Sequence, residues 1–176
     1  MRARVIALSL ALALSTRAAA AQDTTYVPTK EYPNGRQVVV LYFGAKWCKP
    51  CGLPAMKEAI LHMKPLAAKQ AKDSSAVFSA TVVAFDRNLP DALTFVEPLG
   101  AFDEYIVGND ITNLAAERFL WGDPLADKAV PTLIVIERTV TTSRKTGIVF
   151  GPHRVLRRLS GDSIVPWVSA GARIWK

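Results

Sequence analysis

Cysteine is scarce in this 176-residue chain: it has two, Cys48 and Cys51. A small domain stapled by disulfides carries more cysteines, spaced to close longer loops, so that scaffold class is excluded. Histidine is equally scarce, at His62 and His153. A four-ligand zinc site would need all four of these residues, and neither histidine falls at finger spacing from the cysteines. Attachment of a c-type haem requires histidine directly after the second cysteine, and Gly52 stands there. No apolar run reaches the roughly 20 residues of a membrane-spanning helix. Low-complexity tracts, internal repeats and interdomain linkers are also missing. A dense basic stripe with interleaved aromatics is absent too; Arg154, Arg157 and Arg158 form the nearest cluster, which reads as a solvated face. No nucleic-acid partner is expected. Half of the residues are hydrophobic, enough for one real core.

The N-terminus has the three parts of a secretory signal. Arg2 and Arg4 come first, residues 5–14 are apolar, and Ala18, Ala19, Ala20 and Ala21 follow Arg17. The apolar run, about ten residues, is too short for a membrane anchor, and no cysteine marks a lipoprotein cleavage site. Residues 1–21 are therefore expected to be a cleaved signal peptide, with the mature chain periplasmic or secreted. Its loss removes three arginines and no acid, which leaves 19 basic and 15 acidic residues and a net charge of +4. Export implies an oxidising compartment.

Residues 22–36 read as an N-terminal leader with two prolines and an Asn34-Gly35 turn. The domain proper is expected over 37–176. Residues 37–43 (QVVVLYF) form a β-branched and aromatic run of the kind that is buried on both faces of a sheet. Leu53, Met56, Ile60 and Met63 then recur at helical spacing, with Lys57, Glu58, His62 and Lys64 between them as a polar face. Pro54 should confine the regular helix to later residues, and Pro65 should end or kink it. Residues 76–85 read as a second strand. Helices are expected within 91–105, interrupted at Pro98-Leu99-Gly100, and over 111–120; residues 121–124 read as a turn. Pro131 opens a third strand over 132–136, and residues 137–145 read as polar loop. Residues 148–150 and 154–156 look like short edge strands, and a last helix is capped by Asp162 or Ser163. The fold class is α/β with a mixed sheet.

The chemistry points to Trp47-Cys48-Lys49-Pro50-Cys51, between a buried strand and a helix. This spacing lets two sulfurs interconvert between dithiol and disulfide. A helix N-terminus favours a thiolate, and Lys46 and Lys49 add positive charge. Cys48 is expected to be the exposed nucleophile of low pKa. Cys51, one turn inside the helix, is expected to be the buried thiol that resolves the mixed disulfide. Pro50 stiffens the loop. A purely structural bridge would close a very short loop and remove little unfolded-state entropy.

The run VVVLYFGAKWCKPC, then VVAFDRN, then AVPTLIVIE, then LSG before a final helix, resembles the thioredoxin-like superfamily over residues 37–170. The LYFGAKWC context is closest to tryparedoxin, nucleoredoxin and periplasmic TlpA-type branches. The resemblance implies a thioredoxin-like fold with a helical insert over 88–129, before a strand opened by a cis-proline. It also implies a monomeric thiol–disulfide oxidoreductase with no cofactor beyond its redox disulfide and no metal. Its partners would be envelope protein thiols and disulfides, with a membrane electron donor or acceptor. Pro131 matches the cis-proline that presents backbone to substrate, and Val130 the residue before it that tunes substrate contact. Trp47 matches the tryptophan beside the redox pair, and Gly161 a glycine that lets substrate approach. Two positions depart from the pattern. Tyr42 replaces a buried aspartate that accepts the proton of the second cysteine, and Lys49 replaces a common glycine. The lysine favours the thiolate and hence an oxidant, whereas exported members with this context are often reductases; reductase is the direction expected. The alternative is a module that holds a soft metal such as Cu(I) on the two thiols. An isomerase would need a further domain, for which the chain has no room.

Overall fold

The computed structural model describes residues 25–29, 34–122 and 128–175; the expected signal peptide and residues 123–124 of the expected turn lie outside them. A five-stranded mixed sheet organises the chain: β1 Gly35–Gly44, β2 Val77–Ala84, β3 Glu104–Ile106, β4 Thr132–Ser143 and β5 Gly147–Ser160, in the order β3-β2-β1-β4-β5. β1 pairs parallel with β2, and β2 parallel with β3; β4 runs antiparallel to β1 and to β5. The central position of β1 explains its composition, because Gln37 to Gly44 are all buried and no face is left for polar alternation.

Parallel pairing of β1 and β2 requires a long crossover, and α1 Pro54–Asp73 supplies it. Met56, Ala59, Ile60, Met63, Ala67 and Ala71 bury one stripe at helical spacing. Pro54 sits in the first turn, where its missing N–H costs nothing. Of the two outcomes expected at Pro65, an end to the helix does not occur: the chain stays helical to Asp73. The remaining helices are α2 Leu89–Val96, α3 Leu114–Ala116 and α4 Ile164–Ser169. α1 packs on β2 and α4, and α2 packs on β2.

The insert is helical only in part. α2 and a 3-10 turn at Glu97–Leu99 replace the first expected helix, and its end becomes the edge strand β3. The expected helix over 111–120 is broken into a 3-10 turn at Asp110–Thr112, α3 and a π turn at Glu117–Trp121. Asn113 ends the first of these and caps α3 by accepting from Ala116 N at 2.9 Å. The two short edge strands expected at the C-terminal end are one strand, β5. The polar stretch 137–143 belongs to β4, because Glu137 is held there by Arg36 and Arg154, at 2.6 and 2.9 Å.

Lys64 is not on a solvated face. It is 1% exposed, and its Nζ donates to the carbonyls of Leu99 (2.6 Å) and Ala101 (2.8 Å), 4.0 Å from the centroid of the Phe102 ring. Burial pushes its ammonium down to about 8, with Asp103 acting in the opposite sense. Asp103 joins the leader to the sheet, accepting from the Tyr26 hydroxyl, from Thr29 N at 2.5 Å and from Ala80 N at 2.6 Å.

Candidate active site

β1 ends at Gly44, and the chain turns through Ala45 to Trp47 into the two cysteines. Cys48 and Cys51 are joined as a disulfide, with their Cα atoms 5.3 Å apart. The turn is tied to the end of β2. Phe85 N donates to the Gly44 carbonyl at 2.8 Å, the Trp47 indole N–H donates to the Phe85 carbonyl at 3.1 Å, and both oxygens of Asp86 accept from Lys46 N at 3.2 and 3.1 Å. Trp47, fixed by its N–H, still leaves 59% of its surface open.

Cys51 does not lie inside the main helix. It sits in a separate 3-10 turn, Pro50–Gly52, and Leu53 is extended before α1 begins at Pro54. Pro54 and the extended Leu53 keep the two from merging. A three-residue turn has little macrodipole, so the donor that stabilises sulfur here is local: Cys51 N–H points at Cys48 Sγ, at 3.2 Å. Lys46 contributes less positive charge than expected because its Nζ is paired with Asp91 at 2.6 Å. Lys49 and Pro50 are exposed beside the pair.

Cys48 is less open than expected. It is 4% exposed in the disulfide, while Cys51 has no exposed surface. The asymmetry follows the expected order, with the N-terminal sulfur nearer to solvent, but the degree of exposure does not. Packing on the Cys51 side explains its closure. A Cβ at Gly44 would meet Phe95 Cζ at 2.4 Å and Cys51 Sγ at 3.3 Å, so glycine is required where the strand passes the inner sulfur.

Alternation along β1 places Tyr42 on the same face as Gly44, and its ring stacks on Phe95 at 6.2 Å. Its hydroxyl is buried with no hydrogen-bond partner among the described residues. Burial pushes the phenol pKa up, so Tyr42 stays neutral and is no base for Cys51. Tyr42→Phe removes this orphaned group and is expected to raise stability by about 1 kcal/mol in urea unfolding, with the rate of thiol exchange unchanged.

Val130 is half-buried and Pro131 buried, and the peptide between them is cis. Gly161, with φ of 49°, donates its N–H to the Pro131 carbonyl at 2.9 Å, which brings these two motif positions together. Their separation of thirty residues in sequence is closed by the β4–β5 pairing of Thr132 with Ser160. His62 is exposed on α1, and His153 is half-buried against Phe119 in β5. Among the described residues, no three His, Cys, Asp or Glu side chains are grouped to hold a metal ion. Asp86, directly after the strand expected over 76–85, belongs to none of the site residues expected from the sequence. An acid placed directly after the apolar run VVAF was the available signal.

A mixed α/β sheet flanked by helices, with a Cys-x-x-Cys turn after its central strand, defines a thioredoxin-like fold. No protein-family model matches the chain, and no curated protein does. Among solved structures, a thiol-disulfide oxidoreductase from Bacteroides fragilis matches at 20% identity and a TM-score of 0.44, over 76% of this chain and 80% of its own. A thioredoxin from Wuchereria bancrofti matches at 19% identity and a TM-score of 0.40, over 76% of this chain and 72% of its own.

Proposed function

We propose that the protein is an exported thiol–disulfide oxidoreductase that exchanges disulfides with proteins of the cell envelope, working as a reductase. The observation that carries this reading is the Cys48–Cys51 disulfide itself, with Cys48 keeping a narrow 4% opening and Cys51 none, beside an exposed and fixed tryptophan. In the reduced protein, the Cys48 thiolate attacks one sulfur of a partner disulfide, and the partner's other sulfur leaves as a thiolate. Cys51 then loses its proton to solvent and attacks Cys48 Sγ. The mixed disulfide breaks and the partner departs as a dithiol, its two electrons supplied by the pair. Val130, Pro131 and Gly161 form the ledge on which a partner strand would lie. Lys49 and Pro50 border the entry to Cys48. A dithiol donor at the membrane would restore the reduced state, and the expected signal at 1–21 supports the envelope location.

Equilibration of the mature chain with glutathione buffers tests the direction. A reductase is expected to have a potential near the thioredoxin end, about −270 mV. A value near about −120 mV, the strong-oxidant end, would overturn that direction.

A further inference from the structure

Asp86 stands out among the groups that the exchange mechanism does not use. It is 2% exposed, and the only hydrogen bonds to its carboxylate among the described residues come from Lys46 N, two residues before Cys48. Four charged side chains surround it, and each is already engaged with another. Lys46 Nζ reaches Asp91, at the start of α2, at 2.6 Å, and Arg87 reaches Asp110, in the following 3-10 turn, at 2.8 Å. Asp86 therefore sits beneath the reactive loop with no ion pair of its own among the described residues, Lys46 being the nearest cation. The carboxylate lies 3.1 Å from Lys46 N, and two residues of chain add at most ~7 Å, so its charge is within roughly 10 Å of the Cys48 backbone, about one Debye length at ordinary ionic strength.

We propose that Asp86 is a positioning residue that holds the turn before Cys48 and, as a buried anion, opposes the Cys48 thiolate, so that reduction of the disulfide is linked to proton uptake at Asp86. The inference rests on the thiol–disulfide reading and adds a control of poise to it. A partner dithiol gives two electrons and two protons as it becomes a disulfide, and the Cys48–Cys51 bond breaks. One proton goes to Cys51. The second goes to Asp86 or to solvent, and Cys48 is left as a thiolate. With the carboxylate still charged, thiolate and carboxylate repel, which favours the disulfide and makes the pair more reducing. Burial pushes the Asp86 carboxyl up, in keeping with a group that takes up a proton readily.

The test uses the mature chain with three readouts: thiolate absorbance against pH, potential in glutathione buffers, and the thermal transition as a check on folding. Asp86→Asn keeps the shape and removes the charge. Its Cys48 thiol pKa is expected to fall by about one unit, and its potential to become less negative by about 30 mV, the equivalent of a tenfold change in equilibrium constant. Asp86→Glu restores the charge and should return both values toward wild type, which a purely structural role would not require. Should Asp86→Asn fail to fold, carbon-13 titration of the Asp86 carboxyl in the wild type decides. Its pKa is expected to be about one unit higher in the reduced protein than in the oxidised one, because the coupling is reciprocal. Equal values in the two states, or an Asn variant with unchanged thiol pKa and potential, would overturn the role of Asp86 while leaving the oxidoreductase intact. A wild-type protein with no reversible dithiol–disulfide couple would overturn both.

Discussion

Cys48→Ala should reduce disulfide exchange to the rate of the buffer thiol alone, a loss of about 100-fold or more, because the attacking sulfur is gone. Cys51→Ala should behave differently. The Cys48 thiolate remains, the first attack proceeds, and the mixed disulfide with the partner persists because no second sulfur resolves it. A model disulfide substrate followed by absorbance checks the first result, and mass spectrometry of the trapped adduct checks the second. The two variants separate the roles because the sulfurs differ in access: the outer one keeps 4% of its surface and the inner one none. Equal activity of Cys48→Ala and wild type would remove the functional reading altogether. Adduct formation through Cys51 would reverse the assignment of roles.

The second large effect concerns stability in alkali. The Lys64 ammonium is pushed down to about 8 in the folded chain by burial, against an ordinary 10.5. Between these values the unfolded chain holds a proton that the folded chain has released. Stability therefore rises with pH across that window and is lowest below it, where both states are charged and the folded one bears the desolvation cost. After allowance for screening by nearby water, the rise is about 2 kcal/mol. Urea unfolding of the oxidised protein at about pH 7 and about pH 9.5, below the range in which ordinary tyrosines ionise, should show the rise. In Lys64→Met the slope should vanish. A wild type that loses stability over this interval would show that Lys64 keeps its proton.

Lys64 also shows where the sequence was legible and where it was not. The stretches read correctly were those whose structure depends on their own composition. The run 38–43 is apolar at every position and forms the middle of the central strand, and the apolar positions of α1 repeat at the spacing of one helix face. The Cys48–Cys51 pair falls between β1 and α1 as chain order implies, although Cys51 sits in a separate 3-10 turn and not inside the helix. The misread residues take their environment from elsewhere in the chain. Lys64 looked solvated because its partners, the carbonyls of Leu99 and Ala101, arrive from a turn more than thirty residues away. β3 has three residues and no periodicity to detect, and it exists through its pairing with β2. Gly151-Pro152 lies between the two short strands expected over 148–150 and 154–156. In β5 it falls where the register with β4 shifts between Arg138 and Val140, and an edge strand tolerates the missing N–H of proline. Asp86 was hidden for the same reason, since its significance lies in Lys46, forty residues earlier.

The position of β5 has a consequence for how this chain meets its own kind. β5 is the last strand of the sheet, and among the described residues its outer backbone has no neighbouring strand. Such a rim could template the addition of a second copy. Arg154, Arg157 and Arg158 belong to this strand and stand on its faces, so two such strands brought side by side would add like charges beside the new pairing. The same arginines bond to Glu137 and to the backbone carbonyls of Arg173 and Phe119. Polymer growth along this rim is thus discouraged by the charges that brace it, and it should become easier as salt screens them.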